Sequence, residues 1–237
     1  MKTTNATSLA ALLLICAAVS AYCQGTMTYL SNLDQASAGS VAVGSNSWVA
    51  IPFKTGTNPG GYVLDSVQLA MTDASGNPSG FTVYLYTAVG GGTVGPLHPS
   101  FNFATLSGSL SPAIGGIFTY TPASNITLSP NMSHFIVITA GTAVSDGAYD
   151  LSYTDANAFN SSEGWRIPAL NNGVSTASDG TLSHPAWNLI SGDYAQFAID
   201  ATPVPEPSIL SLFGLFGLAF LWHRRKSKVA KFNYSAH

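Results

Sequence analysis

The chain has 237 residues, of which only 8% are charged, and its formal net charge is −3 at pH 7. That value hides a segregation: from Gln24 to Pro203 there are ten acidic residues, and Lys54 and Arg166 are the only bases, so this span carries −8. A surface without clustered Lys and Arg cannot neutralise a phosphate backbone, which excludes nucleic acid as a partner.

The N-terminal stretch has Lys2, a few polar residues and then the apolar block Leu9–Ala21, which ends in small residues. This order predicts a secretory signal peptide over 1–23, delivered to the secretion translocon and cleaved before Tyr22 or Gln24. The block is too short to span a bilayer comfortably. Tyr22 stands where a lipoprotein signal needs a small residue before Cys23, which argues against lipidation. Cys16 and Cys23 are the only cysteines, so the exported part holds at most one thiol and no internal disulfide. A body of this size has core enough to hold together without one.

Residues 24–203 fit one domain. Alternation recurs along them, which is the period of a strand. Val67, Leu69 and Met71 share one face of "VLDSVQLAM", and Phe81, Val83 and Leu85 share one face of "FTVYLYT". In "HFIVITA" both faces are apolar, which predicts a strand buried on both sides. Shorter strands are predicted in "SWVAIPF", "IFTYT", "ITL", "YDLSYT", "GWRI" and "AWNLI", with another in "YAQFAIDA". Gly-, Pro- and Asn-rich segments such as "TNPGG" and "DASGNPSG" separate them as turns. The stretch 168–185 is predicted to be a long polar loop. About ten short strands imply an all-β, two-sheet antiparallel sandwich, jelly-roll-like.

After this body come Val204, Pro205, Glu206 and Pro207, within a motif at 204–208, then an apolar run at 209–222 and a basic segment at 223–237. The prolines keep a helix from starting earlier. As a helix the run is about 21 Å long, short against a hydrocarbon core of about 30 Å. The basic residues suit a cytoplasmic flank. The three parts together describe a transmembrane sorting helix that holds the exported chain until it is cut.

Catalytic patterns are scarce. There is no Gly-x-Ser-x-Gly, His-Glu-x-x-His, Cys-x-x-Cys or P-loop sequence. His98, His134 and His184 are scattered, and Glu163 is the only Glu of the body. No catalytic residue is assigned and no cofactor is expected, save that Asp73, Asp146 and Asp150 beside turn glycines are candidate ligands for a structural calcium ion. Sugar rings stack on aromatic faces while their hydroxyls pair with polar side chains. Tyr84 and Tyr86 lie on the less apolar face of their strand, and Trp165 and Trp187 lie beside polar loops, so these four are the candidate glycan-binding residues.

Val204-Pro205-Glu206-Pro207-Ser208, the apolar run and the Arg-rich end resemble a PEP-CTERM sorting tail. The resemblance implies a Gram-negative bacterium that makes exopolysaccharide, an exosortase as processing partner and an intermediate held in the inner membrane. "LDSVQLAMTDASGNPSGFTVYLYT", "GSLSPAIGGIFTYTPASNITLSPNMSHFIVITAG" and "WNLISGDYAQFAIDATPVPEPS" resemble the choice-of-anchor R type of surface domain. That resemblance implies an exported β-rich domain and carries over no functional residues. The expectation is a non-catalytic protein of the cell surface or extracellular matrix that binds exopolysaccharide. The alternatives are a structural spacer or adhesion protein without a small ligand and, behind it, a secreted hydrolase.

Overall fold

The computed structural model describes residues 25–87, 102–169, 173–177 and 187–205. The predicted signal peptide, the sorting helix with its basic end, and Glu206, Pro207, His98 and His184 lie outside the described residues. No described helix is long and apolar enough to cross a membrane.

Strands dominate, as the alternation predicts. The first are β1 (Met27–Ser31), β2 (Gly39–Val43), β3 (Trp48–Lys54), β4 (Tyr62–Gly76) and β5 (Thr82–Thr87). Next come β6 (Asn102–Ser107), β7 (Gly116–Pro122), β8 (Ile126–Leu128), β9 (Ser133–Thr139) and β10 (Gly147–Thr154). The last are β11 (Asn160–Ser161), β12 (Gly173–Ala177), β13 (Asn188–Ser191), β14 (Tyr194–Ala195) and β15 (Phe197–Pro203). All named pairings are antiparallel, and the strands form one continuous curled sheet, not two separate ones.

The curl has a physical corner. β7 pairs with β4 from Gly116 to Tyr120, then leaves it and pairs with β6 at Thr121 and Pro122. This hands the sheet from one layer to the other. One layer is built on β4, whose edges take β15, β10, β7 and β8. The other runs β6-β5-β9-β3-β12-β13.

The core lies between the layers. Val67, Leu69 and Met71 of β4 belong to the same buried cluster as Val49, Ile51 and Phe53 of β3, Val83 and Leu85 of β5, and Ile136 and Ile138 of β9. Fully burying one such side chain contributes about 1.5–3 kcal/mol. β9 is buried on both faces as expected: Phe135 and Val137 point the other way, into a second, smaller cluster.

Two predicted elements differ. "GWRI" is not a strand. Glu163 and Gly164 take positive φ (50° and 81°), and only Arg166 forms a single bridge, to Lys54. Conversely, the predicted loop at 168–185 contains β12, which pairs with β3 and β13. Pro52 has no N–H to donate. It sits where the β12 edge of β3 is free, between Ala50, paired with Ser175, and Lys54, paired with Arg166.

Candidate functional site

The outward face of the β5-β9-β3 layer is apolar and aromatic. Period two along β3 sends Val49, Ile51 and Phe53 inward and Trp48, Ala50, Pro52 and Lys54 outward. Register aligns Ala50 with Val137 and Val137 with Tyr84, then Pro52 with Phe135 and Phe135 with Tyr86. Ala50, Tyr86, Phe135 and Val137 form the buried floor, and half-buried Trp48, Tyr84 and Trp187 pack against it.

The rings are held. Trp48 and Tyr84 lie 16° from parallel with centroids 6.5 Å apart. Trp48 Nε1 donates to the Ser45 carbonyl at 3.1 Å, which fixes the indole. Tyr84 and Tyr86 meet edge to face at 6.3 Å. Burial, followed by the nearby Tyr84, raises the Tyr86 phenol above its ordinary value, so it stays a neutral hydroxyl at any physiological pH. Polar groups border the rings: Thr82 is partly exposed, and Thr105 of β6, opposite Tyr84, is exposed. Partly exposed parallel rings with hydroxyls beside them can stack on the C–H faces of sugars.

Of the four aromatics named from sequence, the structure gathers Tyr84, Tyr86 and Trp187 on this face. It corrects the fourth. Trp165 is 1% exposed and belongs to the core between the layers. It stacks on Tyr29 at 5.1 Å, lies 1° from parallel with Phe53 at 5.9 Å, and meets Tyr62 edge to face at 5.0 Å. No sugar can reach it. Gly56 permits this packing: a Cβ there would collide with the Glu163 carbonyl, the Tyr62 hydroxyl and the Trp165 ring. Trp48, which sequence reasoning passed over, takes its place on the outer face.

His134 is buried at 2% exposure and stacks on Phe53 at 5.3 Å. Burial lowers its pKa to about 4, against a weaker opposing contact with the Tyr86 backbone. It is a neutral core residue in the folded protein. The three aspartates do not come together. The Asp73 carboxylate accepts the Gly115 N–H at 2.8 Å, Asp150 accepts the Ser40 hydroxyl at 3.3 Å, and Asp146 closes the short 3-10 turn Val144–Asp146. Among the described residues no group of three or more His, Cys, Asp or Glu side chains gathers to hold a metal ion.

At the end of the body, Pro203 still pairs with Tyr62, and Val204 is held at both its backbone groups. Val204 N–H donates to the Gly61 carbonyl at 3.0 Å, and the Asn58 amide donates to the Val204 carbonyl at 3.0 Å and to that of Gly61 at 2.6 Å. Gly60 makes the close approach possible, since a Cβ there would lie 2.5 Å from the Val204 oxygen. Pro205 is exposed.

Residues 203–226 match the family model of the PEP-CTERM protein-sorting motif. The motif implies export, a membrane-anchored sorting intermediate and processing by an exosortase-type enzyme on the way to the surface. No curated protein matches the chain. Among solved structures, the chain is similar to a clostridial cysteine protease, Cwp84, in its form after propeptide cleavage, with 15% identity and a TM-score of 0.47. That match covers 74% of this chain and 40% of the protease chain.

Proposed function

We propose that this chain is a non-catalytic surface or matrix protein of a Gram-negative bacterium, whose all-β body binds exopolysaccharide. In this reading the body is of the choice-of-anchor R type, and residues 209–222 span the inner membrane until an exosortase-type enzyme acts at the Pro-Glu-Pro motif. The observation that carries the binding role is the Trp48–Tyr84 pair, two near-parallel rings on an outward face. A protein sorted to the cell exterior meets polysaccharide there, and stacked aromatics at a surface are a general means of holding it.

A glycan array probed with the full chain tests this. Binding that falls when Trp48 and Tyr84 are both replaced by Ala supports the role. An array with no signal, or a signal indifferent to both substitutions, overturns it in favour of a spacer or adhesion protein.

A further inference from the structure

The body has two cations and ten carboxylates, and the fold sets the two cations side by side. Lys54 N–H donates to the Arg166 carbonyl at 2.8 Å and Arg166 N–H donates to the Lys54 carbonyl at 3.1 Å. Residues paired in this way send their side chains to the same face, with Cβ atoms about 5 Å apart. That face is the outer one, because the flanking Phe53 and Trp165 are both buried inside.

Like charges directly opposite each other destabilise a sheet. Arg166 is exposed, and its guanidinium makes one long contact, 3.5 Å from Nη1 to the Gly164 carbonyl. Glu163, the nearest carboxylate in sequence, accepts instead from the Tyr62 hydroxyl at 3.3 Å. Among the described residues, neither cation is ion-paired with a carboxylate. In so acidic a body, the fold has brought its only positive charges together and, among the described residues, given neither a carboxylate partner.

The pair lies on the same side of β3 as the aromatic face, with Ala50 and Pro52 buried between them. Trp48 and Lys54 are the two ends of β3 on the same side, about 20 Å apart. Arg166, though not Lys54, lines a groove of about 420 Å³ together with Leu30, Asn157, Phe159, Ser161, Ile167 and Ala169, within the ~300–1,000 Å³ range of small-ligand sites. A planar guanidinium and an ammonium together suit a carboxylate, the first by paired N–H donors and the second by charge.

We propose that Lys54 and Arg166 form an anion seat that selects carboxylate-bearing polysaccharide for the aromatic face at the other end of β3. This deepens the binding role proposed above and rests on it. The body's overall negative charge does not forbid an acidic ligand. At physiological ionic strength charges separated by more than about 8 Å are largely screened, so the local pair governs contact.

The test compares polygalacturonate with its methyl ester, which keeps the sugar backbone and removes the charge, by titration calorimetry on the full chain in detergent. The expected result is an affinity for polygalacturonate about tenfold or more above that for the ester, an advantage that shrinks as salt rises. Replacing Lys54 and Arg166 together by Gln should remove the advantage and leave ester binding unchanged, while Arg166→Lys should keep part of it. Equal affinity for the two polymers in the unmodified chain overturns the anion seat and leaves polysaccharide binding standing. So does an advantage that survives the double substitution. Failure to bind either polymer overturns the seat as well, and an empty glycan array would then remove the binding role beneath it.

Discussion

Trp48 and Tyr84 sit on strands that do not touch, yet their rings meet over the strand between them, 16° from parallel. β9 supplies Val137 as the floor under both. Trp48→Ala should therefore weaken a bound polysaccharide by about 1 kcal/mol, roughly five- to tenfold in affinity. Calorimetry with the best ligand from an array measures this. Retained affinity would mean the rings serve only to cover Phe135 and Val137.

Trp165 predicts the opposite pattern. It packs with Tyr29, Phe53 and Tyr62 inside the body, and removing such a side chain leaves a cavity. Trp165→Ala should lower the unfolding free energy by about 3–5 kcal/mol in urea titrations. The folded fraction of this variant should bind sugar as the unmodified protein does. A loss below about 1 kcal/mol would contradict the buried placement.

His134 makes the body sensitive to acid. Its pKa in the folded protein is lowered to about 4 from an ordinary 6.5, so between these values the unfolded chain binds the extra proton. Stability is then fully present above pH 6.5 and falls as the pH drops through the window to about 4. The largest loss is on the order of 3 kcal/mol. Melting curves between pH 7 and pH 4 should show this decline, and His134→Gln should flatten it. A decline of equal steepness in that variant would assign it to other groups.

Asn58 joins the end of the body to its turn. Its amide reaches two carbonyls, those of Gly61 and Val204. Asn58→Ala should cost about 1–2 kcal/mol and loosen the last residues of β15. Hydrogen exchange at the Val204 amide should quicken while that at Ile199, deep in β15, changes little. In cells, the looser end should speed processing of the tail, visible as a faster shift of the exported chain to its shorter form. Unchanged exchange at Val204 would show that its own bond to Gly61 suffices.

The sequence makes strands readable where one face is apolar and the other polar, as in β4, because the alternation states both the element and its orientation. It fails where both faces are apolar. β3 reads Trp-Val-Ala-Ile-Pro-Phe, and nothing in that run says that Val49 faces the core and Trp48 faces outward. Register with β9 and β5 decides it. Trp165 misleads for the converse reason: "GWRI" reads as a short strand beside a polar loop, yet the chain turns there, with positive φ at Glu163 and Gly164, and the indole lies inward. β12 is hidden by its composition, since Gly-Val-Ser-Thr-Ala reads as loop until β3 and β13 flank it. The Lys54–Arg166 pair is a contact between residues more than a hundred positions apart. Only folding reveals it, although the scarcity of bases was plain from the start.

The matched sorting motif begins at Pro203, inside a strand, and Val204 is fastened to the turn between β3 and β4. The first two residues of the matched motif are therefore held within the fold of the body. Inserting a few glycines after Val204 would show whether that anchorage governs how fast the exported chain is processed.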